Sequence, residues 1–213
     1  MQTLGVDVAR GVWIAVVLED GRFADAAVEG VFDALIARFP DAAVVGVDVP
    51  IGLPDPGVRR RADVDARLMV GARRASVFLT PPLAALSQPT YARAREVAPG
   101  TSAQAWAIGR AILEVQRSAD GRVREVHPEV SFAALAGQSL GEGKKTWNGQ
   151  HERTALLRGA GIEIPRRLEA AGLVAADDVL DAAVVAWTAT RIARGEHRTL
   201  PADPRPGEAV IHY

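Results

Sequence analysis

The sequence predicts an α/β fold around a mixed β-sheet, and three observations predict it. Three apolar, strand-like segments follow one another near the N-terminus, and Asp20-Gly21 between the second and third is typical of a tight hairpin. Apolar residues at helical spacing then run up to Pro40, and a fourth apolar run follows. A strand reached through a helix most simply lies parallel to an earlier strand. The order β-β-β-α-β therefore predicts an antiparallel meander that is extended by parallel strands.

The individual elements follow from hydrophobic periodicity and from the prolines and glycines between them. We expect the first four strands at 3–8, 12–18, 23–28 and 43–49, with a helix at 31–39. After a proline-rich loop at 50–56, we expect helices at 58–75 and 102–118, a fifth strand at 124–127 and a helix from residue 128. A Gly-rich loop at 137–150, helices at 151–159 and 173–195 and an edge strand at 210–213 complete the prediction.

These elements predict a single domain over residues 1–213, with a five-stranded sheet flanked by helices and a helical insertion at 53–123 between strands four and five. A chain of 213 residues that is 48% hydrophobic can bury one large core. We recognise no signal peptide and no apolar stretch that could span a membrane, so we expect a cytoplasmic protein.

Charge and cysteine content exclude several functional classes. The net charge is −1, so no global basic field attracts nucleic acid, and any polyanion site must be a local patch. The chain has no cysteine, which excludes a disulfide framework, a zinc-thiolate site and a cysteine nucleophile. The four histidines show no zinc spacing.

Aspartates end two of the apolar runs that should be buried strands, at Asp7 and Asp48. A carboxylate there is costly unless something pairs with it. If the first and fourth strands are parallel neighbours, both aspartates lie near one edge of the sheet. Asp178 and Asp181 are three residues apart, so they share one face of the last long helix. Four such carboxylates could hold one or two Mg²⁺ or Mn²⁺ ions, although each alone could also cap a loop or occupy a first helical turn.

Two further groups of polar residues invite a functional interpretation. His127 and Glu129 follow the fifth strand, where Glu129 could act as a ligand or a base, or simply be an acid in a first helical turn. The only lysines, Lys144 and Lys145, are neighbours in a glycine-flanked loop, and flexible ammonium groups suit phosphate contact.

Together these residues resemble the RNase H-like superfamily. The Asp-x-x-Asp-Ala pattern that begins at Asp178 is similar to that of Holliday-junction resolvases. The fuller set of motifs is closer to a bacterial and archaeal family of predicted RNase H-like nucleases, the domain of unknown function 429. The matching stretches are 5–7, 47–53, 74–78, 104–108, 124–132, 144–146 and 177–182.

The resemblance implies a role for each candidate. Asp7 would bridge the metal ions, and Asp48 would be the second acid, where resolvases usually have Glu. Asp178 and Asp181 would complete the metal site, while Glu129 has no clear resolvase counterpart. His127 and four basic residues would contact the substrate and its phosphates, namely Arg73, Arg74, Lys144 and Lys145.

The function predicted in this way is a metal-dependent nuclease or phosphodiesterase. Aromatic residues make up only 5% of the chain, so a short or structured nucleic acid suits it better than a long single strand. Two alternatives stay open: an actin-like nucleotide-binding or phosphoryl-transfer protein, and a non-catalytic binding module on the same fold. The oligomeric state, including a homodimer, is also open.

Overall fold

The first three strands form an antiparallel meander, as the sequence predicts. They are β1 (Gln2–Ala9), β2 (Val12–Glu19) and β3 (Arg22–Glu29). Both connections are two-residue turns whose residues have positive φ: 49° and 88° at Arg10 and Gly11, and 51° and 83° at Asp20 and Gly21. Positive φ at both positions is the geometry whose twist matches that of the flanking strands.

Parallel strands extend this meander on one side. The chain passes through α1 (Phe32–Ala37) to β4 (Val44–Val47), which pairs in parallel with β1, and β5 (Val123–Glu125) pairs in parallel with β4. The sheet order β3-β2-β1-β4-β5 confirms the predicted mixed five-stranded fold. These elements belong to a computed structural model that describes residues 1–118 and 120–213.

The chain between β4 and β5 is more broken than its periodicity predicts. The helix expected at 58–75 is shorter, because it begins at Arg61 and a 3₁₀ turn (Gly71–Ser76) follows it. The helix expected at 102–118 is two helices, because Ile108 leaves the α-helical conformation with ψ at 9°. The helices are α2 (Arg61–Met69), α3 (Leu83–Leu86), α4 (Tyr91–Val97), α5 (Ala103–Ala107) and α6 (Gly109–Ser118).

Three helices follow β5, namely α7 (Pro128–Ala136), α8 (Trp147–Gly159) and α9 (Ala176–Arg194). The prediction that the loop before α8 extends to residue 150 is wrong, because Thr146 accepts a hydrogen bond from the backbone N–H of Gly149 and starts the helix there. The expected start of α9 at residue 173 is also wrong, because Glu169–Leu173 forms a separate 3₁₀ turn.

Glycine in β1 lets α9 pack directly on the sheet. A Cβ atom at Gly5 would lie 2.0 Å from the backbone N of Ala186 and 2.1 Å from the carbonyl O of Ala182. Since real Cβ atoms do not approach backbone this closely, only glycine fits. The contact brings the first turns of α9 close to the C-terminal end of β1.

Apolar side chains fill both faces of the sheet. Strand β2 shows the expected alternation, with Trp13, Ala15 and Val17 in a core beside α1 and α6, and Ile14, Val16 and Leu18 in a core beside α9. No helix in residues 1–118 or 120–213 is both long and apolar enough to cross a bilayer.

The C-terminal segment forms a small structure of its own. The predicted edge strand is β7 (Ile211–His212), and it pairs with β6 (Thr199–Leu200) in a two-stranded sheet. It does not join the main sheet as a full strand, because a single bridge, between His212 and Val126, connects the two within the part of the chain that the structure describes.

Candidate functional site: a carboxylate cleft

A cleft of about 620 Å³ opens where β1, β4 and β5 end. Because these three strands are parallel, their C-terminal ends lie at the same edge of the sheet. The first turns of α7 and α9 and the loop before α8 supply the other walls. Acidic residues dominate the polar lining, namely Asp7, Asp48, Asp63, Glu125, Glu129, Asp177, Asp178 and Asp181.

Three of the predicted acids come together in this cleft, and we call Asp7, Asp48 and Asp181 the aspartate cluster. Asp7 is 6% exposed on β1, and one of its carboxylate oxygens accepts a hydrogen bond of 2.7 Å from the backbone N–H of Val8. Asp48 is the first residue after β4, which stops two residues earlier than predicted. Its backbone N–H donates to the carbonyl O of Val6 at 2.9 Å, so the parallel pairing holds Asp48 beside β1.

The three aspartates repel one another in a poorly solvated space. Burial raises the pKa of Asp7 well above its usual value, and the charges of Asp48 and Asp181 add to the effect. Burial, followed by repulsion from Asp181, raises the pKa of Asp48 to about 8. Burial also raises the pKa of Asp181 to about 6, although Lys144 opposes the shift. The cluster therefore holds a proton more readily than exposed aspartates do.

Lys144 is the counter-ion that the structure supplies. Its Nζ donates to Oδ2 of Asp181, and its charge also acts on Asp7 and Asp48. Burial alone would lower the pKa of Lys144, but attraction to Asp181, Asp48 and Asp7 outweighs burial and raises it. Lys144, which the sequence predicts to contact phosphate, is therefore paired with the aspartate cluster. Its single positive charge partly neutralises the three carboxylates.

The cluster has the donor chemistry of a site for a hard cation. Its donors are carboxylate oxygens, which Mg²⁺ and Mn²⁺ prefer, and Oδ1 of Asp181 is buried without a hydrogen-bond partner within residues 1–118 and 120–213. In the part of the chain that the structure describes, however, no three acidic or histidine side chains are already arranged to hold a metal ion. The metal ligands therefore remain a prediction, in which a cation would have to replace the ammonium of Lys144.

Asp178 faces a different environment from Asp181. It is half-buried in the first turn of α9, where burial and then the charge of Asp177 raise its pKa. Its other charged neighbours are Lys144, Lys145 and Arg10, and Asp178 itself lines the cleft. Asp177 does not cap α9, because the helix begins after Ala175 and Asp177 lies buried in the first turn.

Glu129 lies in the cleft wall, in the first turn of α7, and is only 4% exposed. Its Oε1 accepts a hydrogen bond of 2.7 Å from Nη2 of Arg153 and one of 3.3 Å from Nη2 of Arg73. The sequence did not single out Arg153, which is completely buried in α8. These two guanidinium groups fix the orientation of the Glu129 side chain.

The remaining predicted site residues divide between the cleft and the surface. His127 lines the cleft, and burial lowers its pKa to about 4, so its ring is neutral at pH 7. Arg73 and Lys145 also line the cleft, and Lys145 is exposed there. Arg74 is exposed in the 3₁₀ turn and is not part of the lining.

A second buried group in the same cleft was missed by the sequence reasoning, and we call Arg60, Asp63 and Glu125 the arginine cluster. Nη2 of Arg60 contacts both carboxylate oxygens of Glu125, at 2.8 and 2.6 Å, and Nε of Arg60 lies 3.7 Å from Asp63. Glu125 also accepts from the backbone N–H of Ile51 at 2.7 Å, and Asp63 from that of Thr80 at 2.7 Å. One signal was available, because Glu125 ends a parallel strand as Asp7 and Asp48 do.

Comparison with known proteins identifies the family. The profile of the family described as "Protein of unknown function (DUF429)" matches residues 5–205. The chain belongs to this family. The match confirms the family predicted from the sequence motifs, and every member of the aspartate and arginine clusters lies within it.

This DUF429 chain can also be compared with solved structures and with curated proteins. Among solved structures it is similar to the one titled "Thermus thermophilus RuvC structure", with 14% sequence identity and a TM-score of 0.42, over 92% of this chain and 98% of that one. No curated protein matches it.

Proposed function

We propose that this protein is a metal-dependent phosphodiesterase that hydrolyses nucleic acid. The observation that carries the proposal is the aspartate cluster, in which buried acids from β1 and α9 and a partly buried acid from the end of β4 meet with one lysine as counter-ion. Burying like charges together costs free energy. A group of carboxylates with fewer cations than charges therefore favours a functional role over a structural one.

Asp7, Asp48 and Asp181 would hold one or two Mg²⁺ or Mn²⁺ ions, with Asp178 as a further ligand from the same helix. The ions would supply activation of a water molecule and stabilisation of the leaving oxygen. The family resemblance stated above supports this assignment, as does the oxygen-only donor set.

The chain's own cations would handle the substrate's negative charge. Lys144 holds the acids together, and once a cation satisfies them its ammonium group is free to contact a phosphate oxygen. Lys145 follows Lys144 in the loop before α8, and Arg73 lies near Gly143 of the same loop. Both would contact adjacent phosphates. Glu129, oriented by Arg153, would serve as the base, and neutral His127 would donate or accept a hydrogen bond.

The proposal is tested by incubating the protein with Mg²⁺ or Mn²⁺ and with branched DNA, an RNA–DNA hybrid and short oligonucleotides. We expect cleavage of at least one of these substrates, reduced at least roughly 100-fold in Asp7→Asn. Asp25→Asn is a matched control, since Asp25 also lies on a strand and accepts a hydrogen bond from the next backbone N–H, at 2.8 Å, but is exposed on β3. Equal cleavage by Asp7→Asn and Asp25→Asn, or none by the wild type, would refute the proposal.

A further inference from the structure

Trp147 is exposed at the edge of the cleft. Its side chain is 75% accessible to solvent, whereas Trp13 is buried and the other two tryptophans, Trp106 and Trp187, are partly buried. A large aromatic side chain left in water often marks a binding surface, because its burial would be favourable.

The position of Trp147 connects it to the candidate site. It is the first residue of α8, and the three residues before it, Lys144, Lys145 and Thr146, all line the carboxylate cleft. A ligand that lies across this edge would therefore contact the indole ring and the cleft at the same time.

The edge is held in place by buried contacts. Arg153, which is completely buried, donates to the carbonyl O of Glu142 at 3.2 Å and of Gly149 at 3.1 Å, as well as to Glu129 in the cleft wall. A Cβ atom at Gly149 would lie 2.0 Å from the carbonyl O of Gly143, so the loop packs tightly on the first turn of α8. The indole is thus carried by a fixed support rather than by a free loop.

The indole itself is oriented. The ring of His151, one helical turn later, lies 3.9 Å from the ring of Trp147, centroid to centroid, with 39° between the planes. The tilted ring of His151 contacts one side of the indole, and most of the indole stays accessible to solvent. An oriented, accessible aromatic face is a platform for a flat ligand.

The charges around this edge select the kind of flat ligand. Lys145 is exposed beside Trp147, and Nη1 of Arg73 would lie 3.7 Å from a Cβ atom at Gly143 in the same loop. The positive end of the α8 dipole points to the same side. A flat aromatic group joined to an anion matches both features, and a nucleobase with its phosphate is such a group.

We infer that Trp147 stacks on one unpaired nucleobase of the strand whose phosphate enters the carboxylate cleft. This inference rests on the proposed phosphodiesterase function and narrows its substrate to nucleic acid with a single-stranded segment next to the scissile phosphate. A fully paired duplex keeps its bases stacked on one another and has no free face to offer the indole.

The test measures binding without cleavage, in EDTA, by fluorescence anisotropy of a labelled DNA hairpin with a short single-stranded tail and of the same hairpin without it. Wild-type protein should prefer the tailed hairpin by roughly tenfold. Trp147→Ala should lose the preference, and Trp147→Phe should retain part of it. Leu173→Ala is the control, since Leu173 is 89% exposed and does not line the cleft.

An unchanged preference in Trp147→Ala, with its thermal stability intact, would overturn the inference. So would a change of oligomeric state in Trp147→Ala without any effect on the hairpins, because the indole would then serve a protein contact. Failure of the phosphodiesterase proposal has a different signature, in which no substrate is cleaved with Mg²⁺ or Mn²⁺ although the tail-dependent binding through Trp147 is observed.

Discussion

The aspartate and arginine clusters lie beside one cleft, yet their carboxylates have different partners. In the arginine cluster, two carboxylates share the guanidinium of Arg60, and the backbone N–H groups of Ile51 and Thr80 complete their hydrogen bonds. In the aspartate cluster, three carboxylates share one ammonium, and Oδ1 of Asp181 has no partner among the described residues. We infer that Asp63 and Glu125 stabilise the fold, whereas Asp7, Asp48 and Asp181 are the acids proposed to hold a cation.

The two clusters also cooperate. Glu125 holds the backbone N–H of Ile51, three residues after Asp48, and Gln116 accepts from Gly52 and donates to the carbonyl O of Pro50. The arginine cluster therefore fixes the loop that carries Asp48, a member of the aspartate cluster. A rigid support of this kind lowers the cost of keeping repelling carboxylates together.

The largest effect is expected from Arg60→Met, which leaves Glu125 and Asp63 buried without their cation. We expect a loss of about 3–5 kcal/mol in the free energy of unfolding, measured by urea denaturation. The adjacent Arg61 is the control, because its partners Asp203 and Glu208 form an ion pair with a guanidinium that is 38% exposed. Arg61→Met should cost less than about 1 kcal/mol, and equal losses would mean that the arginine cluster is not structural.

The second prediction concerns pH and the aspartate cluster. A carboxyl whose pKa is higher in the folded than in the unfolded protein keeps its proton longer when folded, so the free energy of unfolding falls as pH rises to the folded pKa. For Asp48 the decline runs from about pH 4 to about pH 8. Buried His127 and His212, each with a pKa of about 4, act in the opposite direction below pH 6.5. Between pH 6.5 and 8, the raised pKa of Asp48 should therefore dominate the pH dependence of the free energy of unfolding.

Urea denaturation at pH 6.5 and pH 8 measures this decline. Asp48→Asn should remove up to roughly 2 kcal/mol of it, since 1.5 pH units at about 1.4 kcal/mol each is the most that one carboxyl contributes. Asp25→Asn, on exposed β3, should leave the decline unchanged. If the two variants behave alike, Asp48 does not carry a raised pKa.

The smallest effect separates the two lysines. If the ammonium of Lys144 stands where a cation would bind, Lys144→Met should bind Mn²⁺ roughly tenfold more tightly than wild type, or about 1.4 kcal/mol. Thermal shift in a Mn²⁺ titration measures this affinity. Lys145→Met should match the wild type, because Lys145 is exposed and makes no ion pair within the described residues. An equal response of both variants would place the cation elsewhere.

The position of the aspartate cluster was partly predictable. Asp7 and Asp48 are predicted to lie at one sheet edge, and the structure agrees. The prediction rests on the strand period, on the helix between β3 and β4 and on the preference for a parallel connection. Helical spacing predicts that Asp178 and Asp181 share a face, but the two differ in burial, and Asp181 alone joins the other two acids. Periodicity gives the direction of a side chain on its own element, not the depth at which that element packs.

The sequence by itself predicted the mixed α/β fold and the acids that the strands and the last helix carry, because these follow from local periodicity and short connections, and its motifs predicted the family. Only the tertiary structure decided which charges are neutralised. Arg60 meets Glu125 across 65 residues and Lys144 meets Asp181 across 37, and a buried arginine such as Arg153 looks like surface charge in a sequence. The reason is physical: the cost of a buried charge depends on partners brought close by packing, and no local pattern records them.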